Sequence, residues 1–87
     1  MKVTYYQDVD AAYFYLSESK IVDSEEISPG IVCDFDQDDQ VVGIEVLSVK
    51  RRTPSEFLEL TSRKDFPLSF QQTQELKELF EKLPVFV

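Results

Sequence analysis

Along the first half of the chain, apolar and polar positions exchange with a period of two. KVTYY (2–6) and AAYFYL (11–16) are rich in strand-forming residues and are separated by QDVD, a polar connection suited to a turn. The alternation predicts Ala12, Phe14 and Leu16 on one face of the second run and Tyr13 and Tyr15 on the other. KIVDSEEI (20–27) alternates weakly and carries Asp23, Glu25 and Glu26, which suits an exposed edge strand. Ser28-Pro29-Gly30 reads as a turn, with proline setting φ and glycine free to take a positive φ after it. In IVCDF (31–35), Ile31, Cys33 and Phe35 share one face, and Val32 and Asp34 share the other. In VVGIEVLSV (41–49), Val42, Ile44 and Val46 share a face, while Gly43 marks a bulge or a close approach of backbone.

The period lengthens in the second half. Thr53-Pro54-Ser55-Glu56 has the form of a helix start: a capping hydroxyl, proline at the first helical position, and a glutamate that can return a bond to the cap. Phe57, Leu58 and Leu60 give this short helix, which ends near Thr61, an apolar side; SRKDFP (62–67) is the connection. Ser69-Phe70-Gln71-Gln72 is a second capping box, after which Phe70, Thr73, Leu76, Leu79, Phe80 and Leu83 recur at helical spacing until Pro84. This helix is expected to cover one face of the sheet, or the same face of a partner subunit. The apolar ending PVFV is expected in the core or at an interface. The predicted class is α+β: a four- or five-stranded antiparallel meander sheet followed by two C-terminal helices. The 87 residues are expected to form one domain, with 1–49 an acidic sheet and 50–87 a helical extension.

Charge divides along the same boundary. Residues 1–49 hold two bases and eleven acids, whereas 50–87 hold seven bases and six acids. The first half therefore repels a phosphate backbone, which argues against nucleic-acid binding there, and it attracts a basic partner. The lone cysteine forms no internal disulfide, and the chain shows neither an apolar run of membrane-spanning length nor a leader pattern, so a cytoplasmic location is expected.

Candidate chemistry is sparse. The chain contains no histidine, which removes the commonest general base and transition-metal ligand, and two glycines cannot build a phosphate loop. In DFDQDDQVVGIE (34–45), Asp34, Asp36, Asp38 and Glu45 have the spacing of a calcium loop. The sixth position, which should be glycine, is Asp39, and both flanks alternate as strands; the reading is a hairpin turn over Asp36 to Gln40. Asp8 and Asp10 read as turn formers rather than paired catalytic carboxylates, and Cys33 as a buried structural thiol. Lys50-Arg51-Arg52 reads as a solvated strand-to-helix junction. No enzyme activity, metal or other cofactor is expected.

Tyr5, Asp10, Ala11, Tyr13 and Leu16, followed by Pro29, Gly30, Val32, Asp34, Asp36, Asp38, Val41 to Glu45 and Leu47, carry a resemblance. Over residues 3 to 49 the chain resembles the small bacterial family known as domain of unknown function 2283. Tyr6, Gln7 and Asp39 depart from its usual aspartate, proline and turn glycine, and 50–87 lie outside the match. The resemblance implies a mostly β fold without established enzyme activity and, for some members, an antitoxin role beside a small toxin. Two readings follow: from the resemblance and the acidic first half, a protein-binding module, antitoxin-like, that masks a small basic partner; from the apolar helix face and PVFV, a stand-alone homo-oligomer, such as a homodimer. The candidate interface residues are Tyr13, Tyr15, Glu25 and Glu26 on the sheet and Leu76, Leu79, Phe80 and Leu83 on the helix. No membrane partner is expected.

Overall fold

The computed structural model describes residues 2–61 and 67–83, without the side chains of Pro54, Leu58, Leu60 and Thr61. The expected connection over 62–66 and the PVFV ending lie outside the described residues, as does the apolar side contributed by Leu58 and Leu60. Five strands form one antiparallel sheet: β1 (Lys2–Tyr6), β2 (Ala11–Tyr15), β3 (Asp23–Ser28), β4 (Ile31–Phe35) and β5 (Val41–Leu47). Their spatial order is β1-β2-β5-β4-β3, so the sheet is not the expected simple meander. A β1–β2 hairpin joins a β3–β4–β5 meander through the β2–β5 pairing.

Burial explains this order. β5 is buried at five of its seven positions and takes the centre, whereas acidic β3 takes an edge, where carboxylates stay in water. The segment between β2 and β3 must therefore cross an end of the sheet. It is held there by Leu16 and Ser17 N–H groups donating to the Val42 carbonyl at 2.9 and 3.1 Å, and by Val22 N–H donating to the Phe35 carbonyl at 2.9 Å.

A bulge corrects a second expectation. Asp34 lies opposite Gly43, but Phe35 lies opposite Val41, leaving Val42 as the extra residue. Val41 consequently joins the core beside Ile44 and Val46, and Val42 lines the other face. Strict alternation had grouped Val42 with Ile44 and Val46.

A 3₁₀ turn (Val49–Arg51) leads out of the sheet to α1 (Pro54–Thr61), a segment of about two turns, and then α2 (Phe70–Lys82). The expectation of two C-terminal helices holds in full for the second, a 13-residue helix. Both capping boxes form: Glu56 N–H donates to Thr53 Oγ1 at 3.1 Å and Thr53 N–H to Glu56 Oε2 at 3.3 Å. At α2, Gln72 N–H donates to Ser69 Oγ at 3.1 Å and Ser69 N–H to Gln72 Oε1 at 3.0 Å.

One face of the sheet, with Ala12, Phe14, Ile31, Cys33, Ile44 and Val46, packs under these helices. Phe14, Phe57 and Phe80 stack in series, with centroid separations of 5.7 and 4.6 Å, and so tie β2 to α1 and α1 to α2. Leu76 and Phe80 are buried in this core, and Leu79 and Leu83 pack partly buried against it. The helix thus covers its own chain's sheet, which withdraws Leu76 and Phe80 from the candidate interface. Phe70, grouped with them by spacing, is 80% exposed, because it lies about 120° around the helix from Leu76.

The sheet is fastened to the 3₁₀ turn by two polar staples. Arg52, expected as a solvated base, donates from Nε to the Leu47 carbonyl at 2.7 Å and from Nη2 to the Pro29 carbonyl at 2.9 Å. It thereby clamps the β3–β4 turn, where Gly30 takes φ +79°, against the end of β5. On the other side, Asp10 adopts φ 51° and accepts from Tyr5 Oη at 2.7 Å and from Lys50 N–H at 3.1 Å. Replacing Arg52 by methionine is expected to cost about 1–3 kcal/mol, because two charge-assisted bonds are lost. Urea denaturation reads this loss, and Arg51→Met, at an exposed neighbour, is expected to stay within about 0.5 kcal/mol of the parent.

Candidate functional site

The face opposite the helices carries Tyr13, Tyr15, Asp34, Val42 and Glu45, which line a shared groove. Cross-strand register assembles it. Tyr15 and Asp34 sit opposite Gly43 from its two neighbouring strands, and Ser24 sits opposite Asp34 on the edge strand. Two residues along β5, on the same face, Tyr13 and Val32 flank Glu45. Because Gly43 has no side chain, the Tyr13 ring lies across it; a Cβ built there would overlap the ring and its hydroxyl. The ring thus reaches from β2 over β5 to β4, where its hydroxyl donates to Asp34 Oδ2 at 2.5 Å. Ser24 Oγ donates to the other oxygen, Oδ1, at 2.5 Å. Of the two expectations at Gly43, the bulge beside it is present, and the close approach is made by the Tyr13 side chain rather than by backbone.

The electrostatics follow from this packing. Burial pushes the Tyr13 hydroxyl well above its ordinary range, and the bond to Asp34 and the nearby Glu45 charge act in the same direction. Tyr6 is raised by its hydrogen bond with Tyr15, and the Tyr13 and Tyr15 rings tilt against each other at 4.7 Å between centroids. Lys2 Nζ lies 5.2 Å from the Tyr15 centroid, within cation–π range. Glu45 is half-buried and makes no hydrogen bond or ion pair with the described residues.

The groove has a cavity of about 460 Å³. Besides the tyrosines and strand carboxylates it is lined by Glu18 and Ile21 from the segment crossing between β2 and β3. Of the expected interface residues, Tyr13 and Tyr15 therefore stand together in one site. Glu25 and Glu26 are exposed on edge strand β3, with Glu26 Oε2 accepting from Gly30 N–H at 3.4 Å. Glu18, Ile21, Ser24, Asp34, Val42 and Glu45 are not among the expected interface residues. The Tyr13–Gly43 overlap has a sequence signal, a glycine inside an apolar strand. Glu18 and Ile21 have none, because their arrival depends on the crossover.

The turn after β4 is built as a hairpin. Asp36 Oδ1 accepts from Asp38 N–H at 2.8 Å and Gln40 N–H at 3.0 Å, Asp36 N–H donates to the Gln40 carbonyl at 3.0 Å, and Asp39 takes φ 60°. Asp36 is thus engaged by backbone donors, and Glu45 belongs to the groove on β5. Among the described residues, no group of three or more potential ligands is gathered to hold a metal ion. Asp8 is exposed in the β1–β2 connection, and Asp10 serves the staple described above.

Cys33 is fully buried, and desolvation followed by the Asp34 and Glu25 charges pushes its thiol from 9.0 up to about 12. A thiol-specific disulfide reagent at pH 8 is expected to leave the folded protein unlabelled until denaturant exposes Cys33. Since the unfolded thiol ionises at lower pH than the folded one, its contribution to stability is complete below about 9 and is lost as pH rises toward about 12. Denaturant titrations across that window check the sign, and Cys33→Ala is expected to flatten the decline.

No described helix is long and apolar enough to cross a membrane. A family model described as protein of unknown function (DUF2283) matches residues 2–50, which contain the whole sheet and the groove residues. No curated protein and no solved structure matches the chain.

Proposed function

The chain belongs to the DUF2283 family of proteins of unknown function, and from that premise we propose that it is a protein-binding module whose open sheet face docks a small basic partner chain. The observation that carries this reading is the open face itself: tyrosines and a groove whose charged lining residues, Glu18, Asp34 and Glu45, are all acidic. Aromatic rings supply contact area at small entropic cost, and the carboxylates steer and select a cationic surface. The chain works in the cytoplasm, has no catalytic role of its own, and acts by covering the partner's basic surface. That is the mode of an antitoxin, the role implied by the family resemblance for some members. The alternative homo-oligomer built on the helix face would have to form without Leu76 and Phe80, which pack inside the chain. Two copies joined through their open faces would oppose like charges.

Capture from host lysate with the tagged protein tests the reading. A small basic protein is expected at near-equal stoichiometry at about 0.1 M salt and released toward about 1 M, as screening shortens the electrostatic range. Recovery of the chain alone, as a dimer or larger, overturns it.

A further inference from the structure

The groove also specifies which part of a basic partner it receives. Resting on the reading that the open face binds such a protein, we infer that the groove is the seat of an arginine side chain presented by that partner.

Three features converge on this occupant. The first is charge: the groove offers Glu18, Asp34 and Glu45 and no basic lining residue. Within that set Glu45 is half-buried between Tyr13 and Val32 without a donor from the described residues. A carboxylate partly removed from water gains from a charged donor that arrives from outside. The second is preorganisation. The hydroxyls of Tyr13 and Ser24 hold the two Asp34 oxygens, each of which keeps further acceptor capacity, and the Tyr13 ring rests on Gly43. These acceptors and this ring are therefore set before a ligand arrives. The third is the aromatic wall. Tyr15 already accepts one cation in Lys2, and its tilt against Tyr13 forms an aromatic corner beside the carboxylates.

A guanidinium meets all three features together. It is planar, stacks on aromatic faces, donates to a carboxylate through two parallel N–H groups, and sheds water more readily than an ammonium. Lysine brings the charge without the plane or the fork. A phosphate-bearing polymer meets repulsion from the same three carboxylates.

The test is an NMR titration of the full-length protein with N-acetyl-arginine amide, using the matching lysine and citrulline amides as comparators. Saturable shifts are expected at Tyr13, Tyr15, Glu18 and Glu45, with arginine bound about fivefold or more tighter than lysine and citrulline, uncharged, not bound. Glu45→Gln keeps the shape of the side chain and is expected to weaken arginine binding about tenfold; Glu78→Gln, on an exposed part of α2, leaves it unchanged. Equal affinity for arginine and lysine, shifts outside the groove, or no saturation overturns the arginine seat. If any of these occurs while a basic protein is still captured, the seat fails and the binding-module reading stands. Arginine seated as expected with no basic protein captured supports the seat and removes the reading of its biological use.

Discussion

Replacing Phe57 by alanine is expected to remove about 3–5 kcal/mol of stability, the range for emptying a buried aromatic site. Phe57 is the middle ring of the series that runs from Phe14 on the sheet to Phe80 on α2, so its loss opens a cavity on two sides at once. At about 0.05–0.15 kcal/mol per residue, a chain of 87 residues has little reserve against such a change. Urea titration of Phe57→Ala should show a native state that is marginal or absent at 25 °C. The comparison that makes this specific is Phe70→Ala. Phe70 is 80% exposed, and its removal is expected to change stability by no more than about 0.5 kcal/mol. If both variants lose stability equally, the helices do not pack on the sheet as described.

Gly43→Ala is the second large effect, and its sign depends on a neighbour. Gly43 has no positive φ to protect, so the added methyl meets difficulty only from the Tyr13 ring. The ring must swing off the sheet and give up its bond to Asp34, at a cost of about 1–3 kcal/mol. In a Tyr13→Ala background the obstacle is gone. There the same change is expected to be neutral or to stabilise by about 0.5–1 kcal/mol, because glycine within a strand is the less favourable residue. A double-mutant cycle by chemical denaturation reads the coupling, and additivity would show that the ring does not rest on Gly43.

The sheet was largely legible as elements. Period-two runs point to four or five strands, of which five form, and the Pro29-Gly30 turn and both capping boxes are apparent from residue type and spacing alone. Strand order was not. A meander places sequence neighbours side by side, whereas β5 sits between β2 and β4 because its near-continuous burial needs cover on both sides. The Val42 bulge was signalled by Gly43, but which valine it turned outward was not, since one inserted residue reverses the face of every position beyond it. Arg52 illustrates a different limit. Its partners are backbone carbonyls 5 and 23 positions away, and nothing in a run of three basic residues distinguishes a clamp from a solvated charge.

The candidate site divides the same way. Tyr13 and Tyr15 were apparent because alternation set them opposite the apolar face of β2. Their joining with Asp34, Glu45 and Glu18 required the strand order and the crossover, both of which are long-range. Two of the four helical residues, Leu76 and Phe80, leave the candidate interface for a simpler reason: an apolar stripe looks the same whether its cover is a partner or the chain's own sheet. Leu76 and Phe80 are covered from within.

The most direct test of the central claim compares capture of a basic partner by Glu18→Gln/Glu45→Gln and by Glu59→Gln/Glu78→Gln at one moderate salt concentration. Both doubles remove two negative charges, the first from the groove and the second from exposed positions on α1 and α2. The groove variant is expected to lose the partner while the helix variant retains it. Equal capture by the two would contradict the assignment of the open sheet face as the binding surface.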